Sequence, residues 1–176
     1  HFDRSGALWI GTNFGGLNRF EPETGAFTAY RYDKANPQSL SSDSIRAIDE
    51  DQRGSIWSGT LGGGLNRLEP ATGHITRYRH DPQNPASLSD DSIWSIHMDR
   101  SGVLWVGTFG GGLDRFDPAR GTFTHYRERD GLASDRISSI LEEGNADDPA
   151  AGNLWIATGR GLSKLDRDRR TFHTYT

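Results

Sequence analysis

Cysteine is absent from the 176-residue sequence, which therefore has no disulfide framework, no thiol nucleophile and no cysteine-ligated metal. Long apolar runs are also absent, since no stretch approaches the roughly 18 residues that a membrane-spanning helix needs. The formal net charge is −4 and the charges are interspersed, so the sequence lacks the basic stripe of a nucleic-acid-binding protein. We therefore expect no nucleic-acid partner, and membrane contact only through the rest of a parent protein.

An initiator methionine and an apolar leader are lacking too, because the sequence begins at His1. We interpret it as a processed or excised piece of a longer protein. Glycine, in contrast, is abundant at 22 residues and is accompanied by five tryptophans. This composition is typical of a turn-rich globular protein rather than a membrane or disordered one.

The sequence repeats one unit of nearly constant length. Residues 99–126 are closely similar to residues 51–78 and 3–30, and a looser fourth copy ends at Tyr175. Four tryptophans mark the repeat at spacings of 48, 48 and 50 residues: Trp9, Trp57, Trp105 and Trp155. A period of this length indicates an array of supersecondary units that bury their cores against one another.

Each unit predicts four antiparallel strands. In the clearest copy, residues 92–98 have strand length and β-branched side chains, and residues 99–102 carry the aspartate and glycine of a tight turn. The second strand, residues 103–108, is apolar on both faces and should be covered on both sides. Glycine and proline turns then lead to a third strand and to a fourth, which alternates apolar with polar residues and should have one exposed side.

The pattern predicts an all-β fold, a β-propeller with four-stranded antiparallel blades. A leucine-rich horseshoe would repeat at half this length, and helical repeats would lack the glycine and proline turns. Residues 1–176 are expected to form one propeller segment of fifteen strands, about four blades as an arc of a larger ring. Its parts are a partial blade at 1–34 and blades at 41–82, 89–130 and 135–176, the last with an insertion at 145–151.

Two sequence motifs identify a family. The motif D-x-x-G-x-[LI]-W-x-G-T-x-x-G-G-L-x-R-[FL]-[ED]-P occurs three times, and the connector N-P-x-S-L-S-x-D-x-I occurs twice. Together they resemble the two-component regulator propeller repeat over nearly the whole chain. Members of that family are typically bacterial hybrid sensor kinases with extracytoplasmic propellers, an immunoglobulin-like coupling module, one membrane span and a cytoplasmic histidine kinase. The resemblance implies a periplasmic or extracellular segment of a membrane-anchored sensor.

The same resemblance implies a function. Such a sensor binds a small extracellular compound, often a glycan fragment, and passes the signal through the membrane. The expected partners are a small-molecule or oligosaccharide ligand and the remaining propeller and coupling module of the parent protein. The phosphotransfer residues are not in this segment, so we expect no enzyme activity, catalytic residue, cofactor or metal here. A homodimer is also open, because an arc leaves an uncovered blade face at each end.

Several repeated residue types have a structural explanation that is simpler than a chemical one. The repeated tryptophans lie in the doubly covered strand, so core packing is favoured over sugar stacking. The glycine turns lack the lysine and the following helix of a phosphate loop. Paired acidic residues suit turn capping. The basic residues repeated in the third strand are expected to pair with neighbouring carboxylates: Arg19, Arg67 and Arg115.

A ligand pocket is expected where inner strands and their loops converge near the propeller axis. Positions that vary between units while their neighbours repeat are less constrained by packing. Trp94 is the clearest case, because Arg46 and Ser138 occupy its place in other units. Aromatic, arginine and short polar side chains suit a sugar or an acidic oligosaccharide. The candidate ligand-binding residues are Arg46, Asp49, Trp94, His97, Phe14, Phe109 and Arg160.

Two alternatives to a sensor stay open at this stage. One is a secreted propeller lyase of the streptogramin-lyase type, which uses His and Glu around a metal, although no such constellation stands out among the scattered histidines. The other is a non-catalytic scaffold that binds other proteins.

Overall fold

The structure is a computed structural model that describes residues 1–144 and 152–176. The insertion predicted at residues 145–151 lies outside the described residues. The fold is all-β, with one short 3-10 turn at Glu128–Asp130. The strands are β1 (Leu8–Gly11), β2 (Leu17–Phe20), β3 (Phe27–Tyr30), β4 (Ile45–Glu50), β5 (Ile56–Thr60), β6 (Leu65–Glu69), β7 (His74–Tyr78), β8 (Ile93–Met98), β9 (Leu104–Thr108), β10 (Leu113–Asp117), β11 (Thr122–Tyr126), β12 (Ile137–Glu142), β13 (Leu154–Thr158), β14 (Gly161–Leu165) and β15 (Phe172–Tyr175).

The strands form four antiparallel sheets in which neighbours in sequence are neighbours in space. Strands β1–β3 form blade 1, β4–β7 blade 2, β8–β11 blade 3 and β12–β15 blade 4. The innermost strands β4, β8 and β12 lie side by side. In blade 1 the remnant of this strand is Phe2, which bridges Leu8. The prediction of a partial propeller, with three strands and then four in each blade, is confirmed.

The repeated tryptophans of blades 1, 2 and 3 each pack against the blade that follows their own. Trp9, Trp57 and Trp105 are at most 3% exposed, as predicted for core residues. Trp155 has no following blade to cover it and is half-buried. The cross-blade clusters are Trp9 with Ile56, Leu68 and Ile75, Trp57 with Leu104, Val106 and Phe116, and Trp105 with Leu154, Ile156 and Leu165.

The glycine of the repeated W-x-G-T motif lets adjacent blades approach closely. A Cβ on Gly107 would lie only 2.5 Å from Cγ2 of Ile137, on the innermost strand of blade 4. The same atom on Gly59 would lie 2.4 Å from Cγ2 of Ile93. Because both contacts are shorter than atoms tolerate, any larger residue would force the blades apart. The motif glycine is therefore a packing requirement between blades.

The aspartate that opens each motif holds the first hairpin. Asp99 Oδ1 accepts hydrogen bonds from the N–H groups of Ser101 and Val103 at 3.0 Å, and Oδ2 accepts one from Trp105 Nε1 at 2.8 Å. Burial opposes ionisation, but hydrogen bonds from these three residues and the charge of Arg169 outweigh it and hold the pKa of Asp99 below its usual range. The corresponding aspartates of blades 1 and 2 bind their tryptophans at 2.7 and 3.1 Å.

Blade 3 departs from the repeat at its third-strand arginine. In blades 1, 2 and 4 the basic residue of this strand lies over the tryptophan of its own blade, and in blades 1 and 2 it pairs with a carboxylate as predicted. Arg115 instead is exposed and has no carboxylate partner in the described part of the chain, so its predicted pairing was wrong. Arg169 of blade 4 takes the vacant place, 5.3 Å from the Trp105 ring centre and bonded to Asp99.

Candidate functional site

A β-bulge distorts the inner hairpin of blades 2, 3 and 4 at the same position. The pairing of β4 with β5 skips Arg46, that of β8 with β9 skips Trp94, and that of β12 with β13 skips Ser138. A bulged residue has no partner directly opposite, and bulges commonly re-aim a side chain beside a functional site. The three variable positions found in the sequence are therefore the three bulges.

The bulged residues of blades 2 and 3 begin a stack of four side chains that spans three blades, with a cation at each end and two aromatic rings between them. The Arg46 guanidinium lies over the Trp94 ring at 5.9 Å, and the Trp94 and Phe109 rings stack at 5.4 Å with an angle of 21° between their planes. Arg136 of blade 4 lies over Phe109 at 4.8 Å. We call these four residues, Arg46, Trp94, Phe109 and Arg136, the cation–aromatic ladder.

The ladder is exposed and its cations are uncompensated. Trp94 and Phe109 are 42% and 43% exposed, far more than the core tryptophans. Neither Arg46 nor Arg136 forms an ion pair within residues 1–144 and 152–176, and each guanidinium lies over an aromatic ring. A guanidinium that lies over a ring keeps its N–H edges available for an anion.

Short loops fix the far end of the ladder. The Phe109 N–H donates to the Ser92 carbonyl at 2.9 Å, which ties the turn after β9 to the start of β8. The Arg136 carbonyl accepts the Gly159 N–H at 2.9 Å, which ties Arg136 to the turn after β13. A cleft of about 350 Å³ is lined by Arg136 and by Arg160 and Glu128, which form an ion pair.

The remaining predicted site residues do not join the ladder. Asp49 and His97 stand three residues further along β4 and β8 than the bulges, about 10 Å away at the strand rise. The Asp49 carboxylate accepts the Met98 N–H at 2.7 Å, and His97 Nε2 is 3.8 Å from a Glu142 oxygen. Phe14 is 84% exposed in the turn after β1. Ligand roles for these three residues stay predictions.

Sequence reasoning missed Arg136. The sequence carried one signal for it, because Arg136 stands immediately before the first isoleucine of its blade, where the other units have Ser44 and Ser92. Arginine therefore replaces a repeated serine at the rim of blade 4. Its stacking on Phe109 is a contact between blades, and no pattern within one unit reveals it.

A second cleft of about 370 Å³ lies between blades 2 and 3 at the opposite ends of the strands. Its walls include Asp51, Trp57, Arg67 and Tyr78. These side chains already make the repeated contacts of the fold: Asp51 accepts the Trp57 indole N–H and pairs with Arg67, and Tyr78 stacks on Trp57. We assign this cleft to blade packing rather than to ligand binding.

The described ranges contain no group of three or more histidine or acidic side chains able to hold a metal ion. Within the same ranges, no helix has the length and apolar character needed to cross a membrane.

Comparison with family models matches two segments of the chain. The family profile described as the two component regulator propeller matches residues 39–62 and 87–110, each of which joins a connector to the first hairpin of a blade. Comparison with curated proteins gives no significant match.

Solved structures extend the likeness to the whole chain. The extracellular domain of BT3049 from B. thetaiotaomicron, described as a hybrid two component system, is 27% identical with a TM-score of 0.84, covering 100% of this chain and 24% of that one. The extracellular domain of BT4673, from the same organism and with the same description, is 26% identical with a TM-score of 0.78, covering 99% and 24%. PorZ of Porphyromonas gingivalis shares the fold, at 18% identity, a TM-score of 0.56 and coverage of 92% and 30%.

The chain thus spans about a quarter of the length of the two B. thetaiotaomicron domains. The matched segments and the blade architecture agree with the resemblance found in the sequence, and the two B. thetaiotaomicron structures are extracellular domains. The chain is therefore a partial β-propeller, and its residues 39–62 and 87–110 match the model of the two component regulator propeller.

Proposed function

We propose that this chain is part of the extracytoplasmic sensing propeller of a bacterial two-component sensor and binds an acidic oligosaccharide or a similar small anion at the cation–aromatic ladder. The observation that carries the proposal is the pair of uncompensated arginines, Arg46 and Arg136, at the two ends of a stacked and half-exposed aromatic pair. The segment itself acts by binding; the histidine kinase and the coupling module belong to the rest of the parent protein.

The chemistry of the ladder favours an anion over a neutral compound. Charge-assisted hydrogen bonds from guanidinium to carboxylate or sulfate are short and directional, and both guanidinium groups have donors to spare. The rings between them offer an apolar floor about half-open to water. A ligand with anionic groups at its ends and a carbon framework between them would satisfy both features.

The position of the ladder also suits signalling. Its residues come from blades 2, 3 and 4, so a ligand that bridges Arg46 and Arg136 would stabilise one arrangement of these blades over others. A ligand shifts an equilibrium only by its differential affinity for the two states, and contacts across blades provide that difference.

Binding should fail when the ladder is broken. Calorimetric titration of the chain with a panel of sulfated, uronic-acid and neutral oligosaccharides should give binding by acidic members only. Trp94→Ala, Arg46→Ala and Arg136→Ala should each weaken that binding by about 10- to 100-fold, the usual effect of losing a central aromatic or arginine anchor. Tyr32→Ala, at an exposed aromatic outside the ladder and outside the candidate ligand-binding residues, should leave it unchanged.

Two results would contradict the proposal. One is full affinity in all three ladder variants, and the other is equal affinity for neutral and acidic sugars. Release of a cleavage product from a bound sugar would favour the propeller lyase instead. Absence of binding by every sugar, together with capture of a purified protein through Trp94 and Phe109, would favour a scaffold.

Further blades of the parent protein are the proposed partners of the two end faces. On blade 1, Ile10 and Phe27 are 39% and 61% exposed, whereas their counterparts Val106 and Phe123 in blade 3 are at most 6% exposed. On blade 4, Leu162 is 36% exposed, whereas its counterpart Leu113 is fully buried. The exposures differ because blade 3 has a neighbouring blade on each side, whereas blades 1 and 4 each have one face with no neighbour.

Uncovered apolar faces should make the isolated chain associate. We expect sedimentation velocity to show dimers or larger species whose proportion rises with concentration, because burying such faces is favourable at about 25 cal/mol per Å². The double change Ile10→Asp and Phe27→Asp should shift the chain toward monomer, and Phe14→Asp should not. A chain that stays monomeric at every concentration would show that the faces need no partner.

A further inference from the structure

Two connectors between blades are near twins. Residues 33–43 lead from blade 1 to blade 2, and residues 81–91 lead from blade 2 to blade 3, with the same N-P-x-S-L-S-x-D core. In each, a serine hydroxyl accepts the N–H of the first aspartate at 2.8 or 2.9 Å. In each, the last aspartate accepts a backbone N–H at 2.7 or 2.8 Å. The two segments therefore share one conformation and provide an internal comparison.

The buried residue that receives each connector differs in chemistry. Asn66 Oδ1 accepts the Ser41 N–H at 2.9 Å, whereas Asp114 Oδ2 accepts the Ser89 N–H at 2.8 Å. Both side chains are completely buried. Blade 1 has Asn18 at this position, so the amide is the repeated choice and the acid is the departure. The second oxygen of Asp114, Oδ1, has no hydrogen bond within the described chain.

The residue paired with it across the sheet differs as well. Arg77 lies opposite Asn66 and donates to the Ser39 carbonyl at 2.7 Å. His125 lies opposite Asp114, and its Nε2 is 2.8 Å from the Ser87 carbonyl. The first connector is thus held by a permanent cation and an amide, and the second by two groups that titrate.

Burial favours the uncharged form of both members of this pair. Burial raises the pKa of Asp114 to about 7, hydrogen bonds from Ser89 and the charge of Arg127 oppose the rise, and Asp90 adds to it. Burial also lowers the pKa of His125, the Ser87 carbonyl opposes this, and Arg127, His80 and Arg129 add to it. His125 Nε2 lies 4.0 Å from Asp114 Oδ1, beyond hydrogen-bond reach. A further ring nitrogen, His80 Nδ1, is 2.8 Å from the Leu88 carbonyl.

We propose that residues 81–91 form a pH-sensitive clamp, closed over Asp114 while this carboxyl is protonated and released as it ionises, whereas its twin at residues 33–43 does not respond to pH. A protonated acid is uncharged, as the asparagine amide is, and suits the buried site. An ionised one gains by reaching water, which it can do only when the connector leaves. Release would also free the segment that leads into β8 and so loosen Trp94. This consequence for the ligand site is the one part that rests on the proposed function.

The direction of the effect follows from the two protonation equilibria. In the closed state Asp114 keeps its proton up to about pH 7, whereas an exposed aspartate releases its proton near about pH 4. The closed state therefore binds more protons over this range. Raising the pH from 4 to 7 favours the open state, and above pH 7 the effect is complete.

Amide hydrogen exchange tests the clamp without any ligand, so its outcome is separate from that of the binding experiment. Protection factors, corrected for the intrinsic pH dependence of exchange, are compared at Ser89 and Ser41 between pH 5 and pH 8. The protection factor at Ser89 should decrease by about 10- to 100-fold between pH 5 and pH 8, whereas that at Ser41 should stay constant. The carboxyl carbon resonance of Asp114 should titrate near neutral pH.

Two substitutions exchange the chemistry of the twins. Asp114→Asn installs the residue found in blades 1 and 2, so the fold should tolerate it, and protection at Ser89 should become independent of pH. His125→Arg copies Arg77 and should move the midpoint of the change to lower pH, because a permanent cation favours the carboxylate. Equal pH responses at Ser89 and Ser41, or an Asp114 carboxyl that titrates below about pH 5, would overturn the proposal.

Discussion

Replacing Trp105 with alanine should lower the free energy of unfolding by about 3–5 kcal/mol, the usual cost of removing a fully buried aromatic side chain. Trp105 is completely buried between blades 3 and 4, where Leu154, Ile156 and Leu165 pack around it. Removal would leave a cavity at the joint between the two blades, and close-packed strands on both sides could not collapse to fill it.

Trp155→Ala is the matched control. Both tryptophans lie against the tyrosine of their own blade, Trp105 with Tyr126 at 5.9 Å and Trp155 with Tyr175 at 5.7 Å. Trp105 is also covered by the following blade, and Trp155 is not. Removing the Trp155 side chain should therefore lower the free energy of unfolding by about half as much or less. Equilibrium unfolding in urea measures both. Equal losses would show that the tryptophan stabilises its own blade and not the joint.

Asp99→Ala should lower the free energy of unfolding by a similar amount, about 3–5 kcal/mol, because it breaks a buried ion pair and leaves one charge without its partner. The Asp99 carboxylate is fully buried, and its Oδ2 accepts hydrogen bonds from Trp105 Nε1 at 2.8 Å and from the Arg169 guanidinium at 2.9 Å. Alanine would release the first hairpin of blade 3 and also the turn of blade 4 that carries Arg169.

Asp3→Ala tests the hairpin contribution alone. Asp3 accepts the corresponding hydrogen bonds from Ser5, Ala7 and Trp9 but forms no ion pair with an arginine in the described part of the chain. Asp3→Ala should therefore lower the free energy of unfolding by about 1–2 kcal/mol. Asp99 should also contribute to acid sensitivity. Its pKa is lowered on folding, so its stabilisation is present above about pH 4 and is lost as the pH falls through the folded pKa. Equal losses for the Asp3 and Asp99 variants would contradict the role of Arg169.

The repeat made most of the fold predictable from the sequence. Aspartate, glycine and tryptophan at fixed spacing define a hairpin, and the hydrophobic pattern of the second strand requires a neighbour on each face. These are local rules that apply to every unit. The positions of the strands and the burial of Trp9, Trp57 and Trp105 follow from them.

Contacts that pass from one blade to the next were harder to predict. Arg115 occupies the same place in its repeat as Arg67, yet Arg169 displaces it, because the turn of blade 4 puts Arg169, at a φ of 60°, over Trp105. The stacking of Arg136 on Phe109 depends in the same way on the relative placement of two blades. A pattern within one unit contains no information on such placement.

Asp114 illustrates a different limit. The change from asparagine to aspartate at this position is visible in the sequence, where the third strand begins Leu-Asn in two units and Leu-Asp in the third. Both are short polar residues at the same place in the third strand, so the repeat pattern treats them as equivalent. Only complete burial makes the difference large, since it raises the pKa of the Asp114 carboxyl to about 7.

The most direct test of the account is a crystal structure of the chain with an acidic oligosaccharide bound. The account predicts anionic groups of the sugar within hydrogen-bond distance of Arg46 and Arg136, and its carbon framework against Trp94 and Phe109. A sugar bound between blades 2 and 3, against Trp57 and Arg67, with the cation–aromatic ladder unoccupied, would contradict it.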